Sequence, residues 1–229
     1  LRAPTLQEAL VSGFHPAPAA FEFIPNPALS PEVGHTMEAG VNLAYNDIVT
    51  AGDAFRAKLS VYQNDVDDYI DQDSIDRPGV LNPCVAPGPG GRCFARLPFD
   101  AVTYVNINEA RIRGVELEGT YDWVWGFVGV AGSYTEGKNR ETGTPLDSIF
   151  PARVTTTVGF RAMENRLSYG ARWHWVDAKG ADDVSTPELA TSAYNLVDLF
   201  LAYEPNDDTR FDVSLKNVLD HKYVAYTGG

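Results

Sequence analysis

The two cysteines, Cys84 and Cys93, are the residues whose type and spacing most directly predict chemistry. They enclose a loop rich in proline and glycine, and an even pair in such a loop predicts a disulfide and an oxidising compartment. Zinc binding is disfavoured, because no further ligands lie nearby in the sequence. The glycines between residues 88 and 91 do not predict a phosphate-binding loop, since no Lys-Ser or Lys-Thr pair follows them.

Acidic side chains are the next group that could do chemistry. The 31 Asp and Glu residues outnumber the 18 Lys and Arg residues, and the resulting net charge of −13 argues against a nucleic-acid partner. Many aspartates fall between regular segments: Asp65, Asp67, Asp68, Asp71, Asp73, Asp76, Asp182 and Asp183. Two interpretations stay open, solvated loop ends and a calcium-stabilised loop, because oxygen ligands are present without an ordered spacing.

Enzymatic motifs are missing from the sequence. It contains no Gly-x-Ser-x-Gly, no His-Glu-x-x-His and no cluster of cysteine and histidine. We therefore expect a protein that is not an enzyme.

Long segments of alternating apolar and polar residues must position these groups. From Met37 to Tyr45 every second residue is apolar, which predicts a strand with one apolar and one polar face. Strands of soluble proteins usually span about 5–6 residues, and two segments here are far longer. Such strands are typical of outer-membrane barrels. The alternation predicts eight strands, at residues 36–46, 54–70, 103–121, 127–138, 153–163, 166–179, 193–204 and 210–224.

The connections between these strands alternate in length. Short links are predicted at Asn46–Asp53, Asp122–Gly126, Glu164–Arg166 and Pro205–Asp208, and long links at Val11–Gly34, Gln72–Ala101, Asn139–Ala152 and Gly180–Ser192. This pattern matches the periplasmic turns and extracellular loops of a barrel. We therefore predict an all-β, transmembrane antiparallel β-barrel, with Leu1 to Leu10 as the upper end of a further strand.

The alternation also predicts which side chains face lipid and which face the lumen. Phe55, Ala57, Leu59, Val61, Val115, Leu117, Leu167, Tyr169, Ala171, Phe211, Val213 and Leu215 are predicted to face lipid. Arg56, Lys58, Ser60, Glu116, Glu118, Thr120, Ser168, Gly170, Arg172, His174, Asp212, Ser214 and Lys216 are predicted to face the lumen. Trp173 and Trp175 would lie in an outer aromatic girdle, and Trp123 and Trp125 in a periplasmic one.

Two short motifs near the start carry a resemblance to a known family. Arg2-Ala3-Pro4 and Asn26-Pro27-Ala28-Leu29 resemble the "FRAP" and "NPNL" boxes of haem-transporting TonB-dependent outer-membrane receptors. Further signatures of that family are similar to Glu38-Ala39-Gly40, to residues 108–119 and to residues 217–223. The resemblance therefore extends over nearly the whole chain.

The resemblance implies a barrel of about 22 strands around an N-terminal plug. Residues 1–229 would form the C-terminal portion of that barrel, with the plug and the last strand absent. The implied location is the outer membrane of a Gram-negative bacterium, in contact with its lipid. The implied energy source is the TonB–ExbB–ExbD complex, acting through the plug.

His15 is the histidine that lies between the two boxes, where haem receptors carry an axial ligand of the haem iron. The resemblance thus implies haem as the transported ligand, with no resident cofactor, and a haemophore or haemoglobin as a possible source. Phe14, Phe21 and Phe23 would offer apolar surface to the porphyrin. Haem propionates need cationic partners, and Arg2, Arg92 and Arg96 lie on or near the loops. A solvated loop histidine is the alternative for His15, and a ferric-siderophore receptor is the alternative function. His35, His174 and His221 are interpreted as structural or lining residues.

Overall fold

The computed structural model describes residues 1–15, 21–84, 87–94, 96–97, 99–185 and 187–227, and most of them lie in one ten-stranded sheet. Its strands are β1 (Gly13–Phe14), β2 (Glu22–Ile24), β3 (Val33–Asn46), β4 (Ala54–Ile75), β5 (Ala101–Trp123), β6 (Gly126–Asn139), β7 (Arg153–Ala162), β8 (Leu167–Val176), β9 (Tyr194–Asn206) and β10 (Thr209–Leu215). One α-helix, α1 (Leu6–Leu10), and 3₁₀ turns at Pro89–Gly91, Ala181–Asp183 and Pro187–Leu189 complete the described elements.

Strands β3 to β10 form an antiparallel meander in which each strand pairs with the next along the chain. The all-β antiparallel prediction is therefore confirmed, and each of the eight predicted strands has its counterpart. The connections at residues 47–53, 124–125, 163–166 and 207–208 are short, and those at 76–100, 140–152 and 177–193 are long. The predicted alternation of loop length is present, so all the long connections leave the same end of the sheet. We call this the loop end.

Two predicted strand segments are wrong. Residues Leu6 to Leu10 form α1, because the Thr5 side chain accepts a hydrogen bond from the Glu8 N–H and the Glu8 side chain accepts one from the Thr5 N–H. The last strand ends at Leu215 and does not reach residue 224. There the Asn217 side chain bonds both the N–H and the C=O of His221, and this local turn replaces the ladder.

The register keeps the two predicted faces of the sheet separate. Leu59 lies opposite Val41 and Leu117, whereas Lys58 lies opposite Asn42 and Glu118. Because directly paired residues share a face, apolar side chains gather on one side and charged side chains on the other. The lengths and polarity of the strands thus agree with the pattern read from the sequence.

Aromatic rings form a band across the end of the sheet that carries the short turns. Their centroids are 5.3 Å apart for Trp123 and Trp125, 6.1 Å for Trp125 and Phe160, and 5.9 Å for Phe160 and Tyr169. The same band includes Tyr45 and Phe55 on β3 and β4. Such a band is typical of the interfacial girdle of an outer-membrane barrel.

The hairpin formed by β1 and β2 extends the loop end of the sheet. Strand β5 continues above Ala110, where its pairing with β6 stops, and its upper residues Ala101, Val102 and Thr103 pair in parallel with β2. The N-terminal segment therefore crosses β4 and β5 to reach this edge. A small core of Ala110, Leu146 and Ile149 lies below the crossing. Among the described residues, no helix is long and apolar enough to span a membrane.

Candidate ligand site at the loop end

His15 lies at the end of the short hairpin formed by β1 and β2. Its backbone N–H donates to the carbonyl of Phe21 at 2.8 Å, which continues the β1–β2 pairing of Gly13 with Phe23. Gly13 has a positive φ of 106°, a conformation that favours glycine, and it directs the chain into the hairpin. His15 and Phe21 are therefore direct neighbours across the hairpin.

Two aromatic rings lie beside the imidazole of His15, which is an exposed residue. It stacks on Phe21 with centroids 4.9 Å apart and planes 10° from parallel, and Phe23 lies 6.4 Å away. Phe21 in turn contacts Phe23 and Phe99 edge to face, at 5.1 and 5.8 Å. The stacking on Phe21 orients the imidazole at the edge of this apolar cluster.

The ring cluster forms one wall of a cavity of about 340 Å³. Its lining joins the hairpin, the top of β4 and all the long connections: His15, Phe21, Phe23, Gln72, Asp73, Ser74, Leu97, Phe99, Val102, Asp147, Leu189 and Thr227. The volume falls within the range of about 300–1,000 Å³ that is usual for ligand sites. An apolar wall that carries one imidazole can bind a flat apolar ligand that contains a metal ion.

The structure brings together most, but not all, of the predicted contact residues. Phe21 and Phe23 lie beside His15, whereas the Phe14 side chain is 77% exposed and does not line the cavity. Phe99 is a lining residue that sequence reasoning missed. It is distant from His15 in the sequence, and only the parallel pairing of β2 with β5 brings it close.

An ion pair fixes the hairpin against β5. Arg77 contacts Glu22 of β2 at 2.8 Å and Asp100, just before β5, at 3.0 Å. Both hydrogen bonds raise the pKa of the Arg77 guanidinium, and the one to Glu22 has the larger effect. The hairpin that presents His15 is thereby held in position by both backbone and side-chain contacts.

The two sequence boxes anchor the segment and lie outside the cavity. In the first box, the Arg2 guanidinium donates to Glu32 at 2.6 and 2.8 Å and to Glu8 at 2.9 Å. In the second box, the Asn26 side chain donates to the Tyr104 carbonyl at 2.9 Å and accepts from the Ala28 N–H. Among the remaining box residues, Ala3 and Pro27 are exposed, and Pro4 and Leu29 are half-buried.

A second cluster closes the cavity on the side of the long connections. Asp147 accepts a hydrogen bond from the Ser185 N–H at 2.8 Å, and its carbonyl accepts one from the Tyr226 hydroxyl at 2.6 Å. The Lys179 ammonium lies over the Tyr226 ring, 5.5 Å from its centroid. Burial raises the pKa of nearby Asp71 to about 6, and the charges of Asp147, Asp73 and Glu32 act in the same direction.

The predicted disulfide between Cys84 and Cys93 is present, with the two Cα atoms 5.8 Å apart. The other histidines lie away from the cavity. His174 contacts Thr155 at 3.1 Å and Asp198 at 3.4 Å on the charged face of the sheet. Within the described residues, no group of three or more His, Cys, Asp or Glu side chains is arranged to hold a metal ion.

The meander, its loop-length alternation and its aromatic band agree with the family resemblance of the sequence. A family model described as "TonB dependent receptor-like, beta-barrel" matches residues 1–218. The chain belongs to this family. This receptor barrel chain is 27% identical over 234 residues to the heme/hemopexin utilization protein C of Haemophilus influenzae. The alignment covers 97% of this chain and 32% of that protein. The chain is 30% identical over 210 residues to the hemin receptor of Yersinia enterocolitica, covering 90% and 29%.

Solved structures of other receptors share the fold. The Serratia marcescens hemophore receptor HasR, solved as a double mutant with its hemophore HasA and heme, superposes with a TM-score of 0.65 at 23% identity, covering 97% of this chain and 33% of that one. The copper transporter OprC superposes with a TM-score of 0.70 at 18% identity, covering 98% and 30%. The chain thus spans about a third of the length of the receptors that it matches.

Proposed function

We propose that the receptor to which this chain contributes takes up haem across the bacterial outer membrane, driven by the TonB–ExbB–ExbD complex. Residues 1–229 would be the C-terminal portion of its barrel, with the loop end outside the cell. The observation that carries the proposal is the position of His15, the histidine between the two boxes, in an aromatic wall of the loop-end cavity. The names of relatives such as the hemin receptor of Yersinia enterocolitica support haem as the ligand.

In this proposal His15 provides an axial ligand to the haem iron. A neutral imidazole is a suitable ligand for haem iron, and Phe21, Phe23 and Phe99 add apolar contact with the porphyrin. Arg2 is paired with Glu32 and Glu8, and Arg92 and Arg96 do not line the cavity, so we no longer expect these three arginines to bind the propionates. Haem is the transported substrate in this scheme.

The test is haem binding and haem-dependent growth with the full-length receptor that carries His15→Ala or His15→Phe. His15→Phe keeps an aromatic ring against Phe21 and removes only the nitrogen ligands, so it separates ligation from packing. Both variants should change the haem absorption spectrum and weaken binding about tenfold or more, which is about 1.4 kcal/mol. His35→Ala and His221→Ala should do neither. An unchanged spectrum and unchanged growth would contradict the proposal, and retained binding of a ferric siderophore would favour the alternative receptor class.

A further inference from the structure

Residues 80–84, 87–94 and 96–97 form a disulfide-closed ribbon in the long connection between β4 and β5, which we call the disulfide ribbon. The Cys84–Cys93 bond closes it, and backbone bridges join Cys84 to Arg96 and Pro87 to Cys93. The Gly88 N–H donates to the Arg92 carbonyl at 2.7 Å, and the Leu97 N–H donates to the Pro83 carbonyl at 2.9 Å. These contacts hold the described residues of the two sides of the ribbon together.

Large apolar side chains of this ribbon are exposed. Leu81 is 75% exposed and Phe94 is 73% exposed. The Phe94 ring nevertheless rests on Gly88, where a Cβ atom would come within 2.0 Å of the ring. The ring therefore packs against Gly88 on one side and is exposed to solvent on the other. Aromatic residues that anchor protein interfaces have this arrangement.

The charge of the ribbon is opposite to that of the whole molecule. No Asp or Glu occurs between Arg77 and Phe99, in a chain whose net charge is −13. Arg92 and Arg96 are both exposed, and neither is paired with a carboxylate among the described residues. A local positive patch on an acidic protein favours an acidic partner and excludes like-charged surfaces.

The ribbon also adjoins the candidate ligand site. Leu97, at its base, lines the cavity that contains His15, and Phe99 follows two residues later. Leu81, Arg92 and Phe94 do not line that cavity. A partner that contacts these exposed side chains would therefore stand next to the cavity without filling it.

We propose that the disulfide ribbon is the docking surface for an acidic protein that carries haem to the receptor. Phe94 inserts into an apolar recess of the carrier, and Arg92 and Arg96, at alternate positions on either side of Phe94, pair with carboxylates around that recess. This inference rests on the proposed haem uptake and adds the surface that meets the carrier.

The experiment uses the full-length receptor, purified in detergent and also expressed in cells that need external haem. The probes are free haemin, haem-loaded HasA, haem–haemopexin and haemoglobin. Phe94→Ala and Arg92→Glu are compared with Leu219→Ala and Lys222→Glu, which make similar changes at exposed residues of the segment after β10. The ribbon variants should weaken binding of at least one carrier tenfold or more, leave haemin binding within twofold of wild type, and slow growth on that carrier alone. The two control variants should behave like wild type.

Each other result overturns the docking proposal in a distinguishable way. Equal loss of haemin and carrier binding would place the ribbon in the haem site. A defect seen in cells but absent in detergent would indicate contact with lipopolysaccharide, and unchanged carrier binding would exclude docking. Failure of the wild type to bind any of the three carriers while it takes up haemin would also overturn the proposal. Failure of the wild type to take up haemin would reject the proposed function itself.

Discussion

Arg2 and Glu32 join the two ends of the segment that carries His15. The guanidinium donates to both carboxylate oxygens, at 2.6 and 2.8 Å, and the two backbones exchange hydrogen bonds at 2.9 Å in each direction. Glu32 also accepts from the Ile70 N–H of β4 at 2.8 Å. The first sequence box and the segment just after the second thus meet at one point on the sheet, which gives these motifs a structural role that is separate from ligand contact.

Loss of the Glu32 carboxylate should release this segment. Glu32→Ala removes two charge-assisted hydrogen bonds from Arg2 and leaves the Ile70 N–H without its acceptor, a local cost of about 2 kcal/mol. We expect faster protease cleavage between residues 3 and 31 in the full-length receptor and weaker haemin binding. Glu8→Gln is the control, because it removes only the more exposed ion pair with Arg2. Equal protease resistance of Glu32→Ala and wild type would contradict this role.

The strands could be predicted from the sequence because their cause is local. Apolar and polar residues alternate along each long strand, and a slip of one residue would exchange the two faces, so the pattern also fixes the register. The alternation of short and long connections could also be predicted, because the length of each connection follows from the predicted bounds of the strands on either side of it. The end of the last strand at Leu215 was not predicted. It follows from the two hydrogen bonds of the Asn217 side chain with the backbone of His221, and the alternation of apolar and polar residues gives no sign of such a contact.

The candidate site was only partly predictable, since it depends on contacts between distant segments. His15, Phe21 and Phe23 could be proposed from the sequence because they lie between the two boxes of the family resemblance. Phe99 joins them only because β5 extends beyond the end of β6 and offers its free edge to β2. The ion pair of Arg2 could not be predicted, because its partner Glu32 lies thirty residues away in the sequence and is joined to it by tertiary structure.

Close packing at Gly170 gives a test of the strand arrangement. A Cβ atom there would lie 2.1 Å from the Val158 carbonyl and 2.8 Å from the Gly159 Cα, so Gly170→Ala must displace backbone. We expect a destabilisation of about 1–3 kcal/mol. Samples are heated to increasing temperatures and are then run on a detergent gel. The measured quantity is the temperature at which the fast-migrating band of the folded receptor is lost. Gly129→Ala is the matched control, since its Cβ would meet only ordinary contacts, at 3.7 and 3.8 Å. Equal transition temperatures for the two variants would contradict this packing.

The Cys84–Cys93 bond should be detectable on intact cells. A thiol reagent that cannot cross the membrane should label the receptor only after a reductant is added, because both sulfurs are joined in a long connection at the loop end. The double substitution Cys84→Ser with Cys93→Ser should loosen this connection by roughly 2–3 kcal/mol and leave the folding of the strands unchanged. Labelling without a reductant would show that the bond is absent in the cell.

Asp71 should make the packing of the long connections depend on pH. It lies above Asp67, the last β4 residue that pairs with β3, and it is buried near Asp147, Asp73 and Glu32. Burial and these charges raise its pKa to about 6, above the ordinary value of 3.8. The folded state therefore binds this proton more tightly than the unfolded state, so stability falls as the pH rises from about 4 to 6 and stays lower above that range.

Asp71→Asn should remove this penalty. The variant should be more stable than wild type at pH 7.5, by up to about 3 kcal/mol for a shift of this size, and the difference should disappear near pH 4. Hydrogen exchange of peptides that cover residues 144–149 and 177–185 measures the effect, since these segments meet at Asp147 and Ser185. Asp73→Asn is the control, because Asp73 is an exposed neighbour and its removal should relieve only part of the repulsion. A difference between Asp71→Asn and wild type that is the same at both pH values would show that Asp71 does not titrate in this range.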